Sequence, residues 1–520
     1  MSLKISFKRP IIIHPILFAI FPILSFFSYN VRELSFEEIF LSLFFVLAFT
    51  IGIWLSLSYI LKNARKSAFI ISLLLVLFFS YGHVYNLIDN VTIDGLDIGR
   101  SRYLLVPFLT SLVVGVYYFI RTNRKLNNAT TITNFITVPL IVVAAVNIGM
   151  FYIADNENFY DDETIINSFS IISDTESTFT QLVENDLPDV YYIILDGYAG
   201  TNSLKEFSNF DNQEFITFLN EQGFYVHSQS YSNYPTTPTS MAATLNMQYV
   251  NKLADIVGTD LDNMHPTFKL IQENLVIKKF KSKGYTLISF NTDLVHLDEP
   301  KKFDFYYCES NTLLDNKVVS GVLHLSIIGY FIEDIEYQES RDEILCMFSE
   351  LPEIKNVDEP TFVYAHFNMP HTPYIFSANG EQVNPSRESN LGSYANVNDY
   401  INYLKFANRE TQKLVEKLLD TNDPPIIIIQ SDHGSAFGVD WENPTSDMLR
   451  QRASNFQAFY LPNGDSGLMS EATTPVNIFR VLFNSYFNEN YEILPDKIFW
   501  VLWNKPYDFK DITNVLIIEN

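Results

Sequence analysis

The first third of the chain consists of long apolar runs with short polar separators. Each run is close to the roughly 20 residues that an α-helix needs to cross a bilayer, and none has the polar face of a helix packed on a soluble core. A cleaved signal peptide would account for one such run but not for several. The pattern therefore predicts five membrane-spanning helices, at residues 11–29, 39–61, 68–88, 103–120 and 132–154.

Lysine and arginine alternate with acidic residues in the segments that flank these runs. The N-terminus and the segments after the second and fourth runs are basic, whereas the other separators are poorer in basic residues. Because cytoplasmic loops carry an excess of Lys and Arg, this alternation predicts a cytoplasmic N-terminus and an extracytoplasmic location after about residue 155. The basic positions are Lys4, Lys8, Arg9, 62–67 and 121–125, and the poorer separators are 30–38 and 89–102.

The pattern changes twice after the last run. Residues 156–187 are acidic and rich in Ser and Thr, which predicts a linker after a membrane domain at 1–155. From residue 188 to 520, short continuous apolar runs alternate with helical patterns, which predicts a doubly wound α/β domain with strands buried on both faces. The predicted strands lie within 189–200, 284–293, 361–374 and 424–438, and the predicted helices at 214–223, 267–284 and 402–420.

Composition narrows the possible functions. The net charge is −25 over 520 residues, which argues against a nucleic-acid partner because phosphate backbones attract Lys and Arg. There are only two cysteines, Cys308 and Cys346, so the chain is neither a disulfide scaffold nor a Cys-rich zinc module. The sequence leaves open whether these two pair outside the cytoplasm or are two buried small hydrophobes.

Candidate chemistry lies just beyond the predicted strands, where sites form in open α/β sheets. Asp196 follows the first strand, His371 follows the third, and Asp432 and His433 follow the fourth. Taken alone, each aspartate could be an ordinary turn residue. Each histidine, including His366, could be a residue of the core or of its rim. Together, carboxylate oxygens and an imidazole indicate a site for one divalent cation such as Mn, Mg or Zn.

The stretch PTTPTSMAATLNM at 235–247 places several hydroxyls before an apolar helical pattern. One interpretation is a helix cap, for which Ser and Thr are favoured. The other is a nucleophile, since a helix N-terminus favours an approaching anion. The residues alone leave both open.

The ordered set of these motifs resembles the sulfatase/alkaline-phosphatase superfamily: strand-Asp, hydroxyl at a helix start, PHTPY at 370–374, then strand-DHG at 432–434. It is most similar to the membrane-anchored branch that includes lipoteichoic acid synthases and phosphoethanolamine transferases. The segments 455–462 and 474–487 also resemble the end of such domains. The resemblance implies an N-terminal five-helix transmembrane bundle followed by an alkaline-phosphatase-like α/β/α sandwich domain.

The resemblance also implies roles for individual residues. Asp196, Asp432 and His433 match metal ligands, and His371 matches the histidine that contacts the substrate phosphate or the leaving group. The register selects Thr237 as nucleophile and metal ligand, with Pro238 at the first helical position and Ser240 as a substrate-binding residue in the first turn. Thr236 and Thr239 remain alternatives for the nucleophile.

Two departures from the family pattern refine the expected reaction. The C/S-x-P-x-R motif of formylglycine sulfatases is absent from 235–247, and Asp196 is followed by Gly197 rather than by a second Asp. We therefore expect one bound metal ion. We also expect the protein to transfer a phospho-alcohol head group from a membrane lipid donor to a surface glycan or lipid acceptor, through a phospho-Thr intermediate. The alternatives are an extracytoplasmic phosphate- or sulfate-ester hydrolase and a non-catalytic membrane binding protein. The sequence does not predict the oligomeric state.

Overall fold

The structure, a computed structural model of the chain, forms two compact units. Unit 1 comprises Met1–Phe159 and Ser310–Gln338, and unit 2 comprises Tyr160–Glu309 and Glu339–Asn520. The basic residues Lys4, Lys8 and Arg9 and most of the predicted linker lie outside the described residues. The structure describes residues 10–31, 34, 36–88, 92–93, 96–97, 101–155, 162–170, 187–291, 302–309, 312–356, 359–385, 396–471 and 473–517.

Unit 1 is built on the apolar helices of the N-terminal third. Four helices within the described part of the chain are long and apolar enough to cross a membrane: Glu38–Leu61, Ala64–Ile88, Tyr103–Arg121 and Asn127–Ile153. The first predicted span forms a helix of only 16 residues, which is shorter than the roughly 20 that a bilayer requires. The structure thus supports four of the five predicted membrane spans. The helices are α1 (His14–Tyr29), α2 (Glu38–Leu61), α3 (Ala64–Ile88), α4 (Ser101–Arg121) and α5 (Asn127–Asp155), with a two-stranded hairpin of β1 (Thr92–Ile93) and β2 (Leu96–Asp97).

Unit 2 contains a seven-stranded sheet with the order β4-β9-β8-β3-β7-β5-β6. The central strands are buried throughout, as their continuous apolar sequences predict. The sheet is mixed, because β9 pairs antiparallel with β8, and β4 pairs antiparallel with β9. The strands are β3 (Val190–Leu195), β4 (Tyr225–Val226), β5 (Thr286–Asn291), β6 (Phe305–Tyr306), β7 (Thr361–Phe367), β8 (Ile426–Gln430) and β9 (Gln457–Tyr460), and a separate hairpin comprises β10 (Phe499–Leu502) and β11 (Lys505–Asp511).

The helices of the α/β region follow the predicted pattern with one difference. The helical pattern at 267–284 forms two helices, because Asn274 caps the second one by accepting a hydrogen bond from the Ile277 N–H. The helices are α6 (Asp162–Ser170), α7 (Thr201–Ser208), α8 (Gln213–Glu221), α9 (Thr237–Asn246), α10 (Leu253–Val257), α11 (His265–Gln272), α12 (Leu275–Ser282), α13 (Lys317–His324), α14 (Gly329–Glu350), α15 (Val397–Leu419), α16 (Ser446–Ala453), α17 (Ile478–Phe487) and α18 (Thr513–Ile517). Short 3₁₀ helices lie at Val250–Lys252, Leu313–Asp315, Leu351–Asn356, Pro462–Glu471 and Pro475–Asn477.

Two findings concern the region after the linker. Cys308 and Cys346 form a disulfide within unit 2, which answers the question that the sequence left open. Within the region after the linker, Ser310–Gln338, which includes α13, belongs to unit 1 with the apolar helices.

Candidate active site

Two buried carboxylates lie at the carboxyl ends of neighbouring parallel strands. Asp196 follows β3 and Asp432 lies two residues beyond the end of β8, and these strands are paired from Val190↔Ile426 to Ile194↔Gln430. Their side chains are almost completely inaccessible to solvent. Gly197 has a φ of 69°, a conformation that favours glycine, and its N–H donates to Asp432 Oδ1 at 3.1 Å. The backbone conformation at residue 197 therefore explains why glycine, rather than a second Asp, follows Asp196.

His433 lies against both carboxylates. Its Nε2 is 3.2 Å from Asp432 Oδ2 and 3.6 Å from Asp196 Oδ1. Its Nδ1 lies 3.1 Å from the Gly434 carbonyl oxygen, which can only accept, so this hydrogen bond assigns the proton to Nδ1. Burial, assisted by the nearby Arg452 guanidinium, lowers the pKa of His433. The neutral ring then directs the Nε2 lone pair toward the carboxylates, as in a metal-ligating histidine.

Thr237 is the hydroxyl residue of the 235–247 stretch that contacts these groups. Helix α9 begins at Thr237 itself, so Pro238 occupies the second helical position rather than the predicted first. The Thr237 hydroxyl oxygen lies 3.2 Å from His433 Nε2. Thr236 is the N-cap residue but makes no side-chain capping hydrogen bond; its hydroxyl instead pairs with that of Thr239 at 2.7 Å. The capping interpretation therefore does not explain why hydroxyls are concentrated here.

Ser240 supports the site from inside the protein. Its side chain is 1% exposed, and its hydroxyl donates to the backbone oxygen of Asp432 at 2.7 Å. This hydrogen bond connects the first turn of α9 to the loop that carries Asp432 and His433. In this geometry Ser240 positions the loop, and its contact with substrate remains a prediction.

His371 borders the same site after the end of β7. Its side chain is partly exposed, its ring centroid lies 6.1 Å from that of His433, and its Nδ1 lies 2.7 Å from the Thr372 carbonyl oxygen. Because that oxygen only accepts, Nδ1 donates and Nε2 is the atom that can exchange a proton. A partly exposed histidine beside a buried cluster can reach a bound substrate.

His366 is a site residue that the sequence analysis did not select. It lies on β7 opposite Ile194 of β3, and its Nε2 is 3.5 Å from Asp196 Oδ2. The Tyr364 hydroxyl lies 3.2 Å from its Nδ1. The sequence signal was a second histidine five residues before His371, near the end of a strand that runs to the same sheet edge.

The site is chemically suited to a divalent cation. Two sets of side chains could hold one, with ligand atoms within 4.8 Å of one another: Asp196 with His371 and His433, and Asp196 with His366 and Asp432. Among the described residues, Asp196 Oδ1 and Asp432 Oδ2 accept no hydrogen bond although both are buried. Buried acceptors of this kind are costly unless a partner compensates them.

The electrostatics support the same conclusion. Burial and the adjacent Asp196 carboxylate raise the pKa of Asp432 to about 6. Burial also raises the pKa of Asp196, but His371, His366 and His433 outweigh that effect and hold it below its usual range. Two carboxylates this close repel each other when both are ionised. A cation bound by both would relieve that repulsion.

Comparison with known protein families identifies the class of protein. The Sulfatase family model matches residues 188–479, which is more than half of the 520-residue chain. The chain therefore belongs to the sulfatase family. No curated protein sequence matches it.

The solved structures that match this chain share little sequence identity with it. The C-terminal periplasmic domain of EcEptC from Escherichia coli is 14% identical, with a TM-score of 0.40, and the match covers 64% of this chain and 95% of that one. The integral membrane protein lipooligosaccharide phosphoethanolamine transferase A from Neisseria meningitidis is 12% identical, with a TM-score of 0.37 and coverage of 91% and 94%. A protein in the alkaline phosphatase superfamily from Vibrio parahaemolyticus is 10% identical, with a TM-score of 0.38 and coverage of 66% and 84%.

Proposed function

We propose that this protein is a membrane-anchored metalloenzyme that transfers a phospho-alcohol head group from a membrane lipid to a cell-surface lipid or glycan. The observation that carries the proposal is the position of the Thr237 hydroxyl. It lies at the start of α9, 3.2 Å from His433 Nε2, and His433 in turn contacts the buried Asp196 and Asp432. This is the arrangement expected of a nucleophile that is activated by a metal and placed at a helix N-terminus.

Phosphoryl chemistry is favoured over formylglycine-dependent sulfate hydrolysis. The 235–247 stretch contains no cysteine, and both cysteines of the chain are joined in the Cys308–Cys346 disulfide. A threonine hydroxyl can instead attack phosphorus directly and form a phosphoester. An acceptor alcohol or water can then release that ester, and the membrane anchor favours an alcohol because both lipid donor and surface acceptor lie nearby.

The proposed ligands of one Mn, Mg or Zn ion are Asp196, Thr237, Asp432 and His433. When bound, the ion would displace the Thr237 hydroxyl proton to solvent and neutralise charge on the phosphoryl oxygens. The ligand atoms converge from β3, β8 and α9, and the Ser240–Asp432 hydrogen bond fixes two of these elements relative to each other.

The proposed reaction has two displacements at phosphorus. Thr237 Oγ1 forms a bond to phosphorus while the bond from phosphorus to the donor's alcohol oxygen breaks, and protonated His371 gives its Nε2 proton to that oxygen. The acceptor alcohol next attacks the phospho-Thr, its proton passes to His371, and the Thr237 oxygen leaves. Backbone N–H groups at the start of α9 stabilise the charge on the phosphoryl oxygens in both steps. His371 therefore ends the cycle protonated, as it began.

We also propose the topology that the basic residues predict, with 1–155 as five spans, 156–187 as a linker and 188–520 outside the cytoplasm. The Cys308–Cys346 disulfide supports this side of the membrane, since disulfides persist in oxidising compartments. Helix α1 would be the fifth span despite its 16 residues, because short spans can be accommodated by local thinning of the bilayer.

Release of diacylglycerol from a fluorescent phospholipid by the purified full-length protein tests the first displacement of this function. Breaking the bond between phosphorus and the diacylglycerol oxygen leaves diacylglycerol whether an alcohol or water attacks next, whereas hydrolysis on the other side of phosphorus would leave phosphatidic acid. We expect diacylglycerol release that requires added divalent metal, and loss of it in Thr237→Ala but not in the neighbouring Thr239→Ala. Phosphatidic acid as the product, or sulfate release from an aryl sulfate without diacylglycerol, would contradict the proposal.

A further inference from the structure

One stretch of the sulfatase-like region packs with the membrane helices. The described part of Ser310–Gln338, here called the 312–338 segment, follows β6 and precedes β7 in the chain, yet belongs to unit 1. It contains α13 and the first turns of α14. In the sequence it lies between Cys308 and Cys346, which form a disulfide in unit 2.

Helix α13 is packed into the core of unit 1. Val318 and Val322, one turn apart, are 0% and 4% exposed and join a hydrophobic cluster with residues of α1, α2 and α3. Gly321 faces Phe26 so closely that a Cβ there would lie 2.0 Å from the ring Cζ. A larger residue at this position would have to displace the Phe26 ring, so the contact indicates close helix packing.

The segment is also bonded to α3 through the backbone. The Gly82 N–H donates to the Leu325 oxygen at 3.0 Å, and the Ile327 N–H donates to the Phe78 oxygen at 3.0 Å. In a regular α-helix the Gly82 N–H donates to the Phe78 oxygen, because the two residues are four apart. Here each of these two backbone groups has a hydrogen-bond partner in the 312–338 segment. A Cβ at Gly82 would lie 2.7 Å from Leu325 Cα, so this approach depends on glycine.

These contacts lie at one end of the helical unit. The cluster around α13 includes Phe27 near the end of α1, Ile39 near the start of α2 and Phe79 in the second half of α3. The Asn316 side chain donates to the Glu38 backbone oxygen, at the first residue of α2. The segment therefore lies where α1 ends and α2 begins, which is the level of a membrane surface for helices that span a bilayer.

Large apolar side chains of the segment face outward at this level. Phe331 and Ile335 on α14 are 64% and 48% exposed, and residues four apart share one face of a helix. On α2, Phe40 and Phe44 are also more than half exposed. Polar contacts join α13 to α14, since His324 Nε2 lies 2.8 Å from Glu336 Oε2 and the Ser320 hydroxyl donates to Glu336 Oε1.

We propose that the 312–338 segment is a second membrane anchor, with Phe331 and Ile335 inserted among lipids at the boundary between head groups and acyl chains. Lipid is the occupant because the same unit contains the membrane helices, whose own large apolar side chains are also exposed. The inference depends on the helices crossing a membrane and not on the proposed reaction. It implies that the sulfatase-like unit remains membrane-bound when its linker to α5 is cut.

A protease site placed within residues 171–186 of the full-length protein tests this. After cleavage in native membranes and a high-salt wash, we expect the C-terminal fragment to stay in the membrane pellet. Membranes that contain a lipid with a diazirine in its acyl chain should, on illumination, label the peptide with Phe331 and Ile335. The exposed apolar residues Leu468 and Trp503 of unit 2 should stay unlabelled.

Glycine variants provide the matched controls. Gly82→Leu combined with Gly321→Leu should release the cleaved fragment, whereas Gly52→Leu should not, because nothing lies within 4 Å of a Cβ at Gly52. Release of the wild-type fragment would overturn the proposal. Retention without lipid labelling, or with crosslinks from Phe331 and Ile335 to a second copy of the chain, would also overturn it because the segment would then be covered by protein.

Discussion

Ser240→Ala separates a positioning role from the substrate contact that the sequence predicts. The Ser240 hydroxyl donates to the Asp432 backbone oxygen at 2.7 Å, and both residues are almost fully buried. Alanine removes the donor and leaves a carbonyl oxygen in a buried loop without this partner. The expected cost is about 1–3 kcal/mol in the free energy of unfolding.

The larger effect should appear in catalysis. Asp432 and His433 lie on the loop that this hydrogen bond holds, and a displacement of about 1 Å near a reacting group can cost about 100-fold in rate. We expect kcat to fall by about 10- to 100-fold while KM changes little, because a positioning residue acts on the transition state and not on substrate binding. Metal affinity should fall in the same variant.

The assay is the steady-state rate of diacylglycerol release, with thermal unfolding measured in parallel. Thr267→Val is the matched control, since the Thr267 hydroxyl is fully buried and donates to the Met264 oxygen at 2.6 Å on a helix without a site residue. It should lower stability by a similar amount and leave kcat unchanged. A raised KM with unchanged kcat in Ser240→Ala would refute the positioning role and favour direct substrate contact.

Three further predictions follow from the site and the topology. Asp196→Ala and Asp432→Ala should each lose activity and the bound divalent metal, which elemental analysis measures. The control Asp189→Asn, at the other end of β3, should keep its metal. Full metal occupancy in both alanine variants would mean that the site is wrongly placed. His366→Ala should weaken metal binding, because His366 Nε2 lies 3.5 Å from Asp196; unchanged affinity would exclude it from the metal centre. A reporter at the C-terminus should be active only outside the cytoplasm and one within 62–67 only inside, and the reverse pattern would refute the five-span topology.

The central strands could be predicted because their burial on both faces makes their sequences continuously apolar. Residues 190–195 and 426–429 show this, and each run is followed by a carboxylate at the same sheet edge. The family's motif order added Thr237, which residue patterns alone could not separate from its neighbours. In the structure, Thr236 and Thr239 bond to each other, and Thr237 remains directed toward His433.

Other features depend on contacts between distant parts of the chain, which local patterns do not reveal. His366 joins the site only because β7 pairs with β3, and a lone histidine in an apolar strand is indistinguishable by pattern from a core residue. The antiparallel pairing of β9 could not be predicted either, because the apolar sequence of a strand does not determine its direction in the sheet. The spacing of Val318 and Val322 fits any amphipathic helix, so their packing against the membrane helices could not be foreseen.

Mass spectrometry of the 235–247 peptide tests the central claim most directly. The purified full-length protein is incubated with membrane lipids, and its peptides are then mapped. We predict a phosphoryl-type mass on Thr237, absent from Thr237→Ala, with that variant inactive but folded. Wild-type turnover by Thr237→Ala, with no adduct anywhere in 235–247, would contradict the account and leave these hydroxyls with a structural role only.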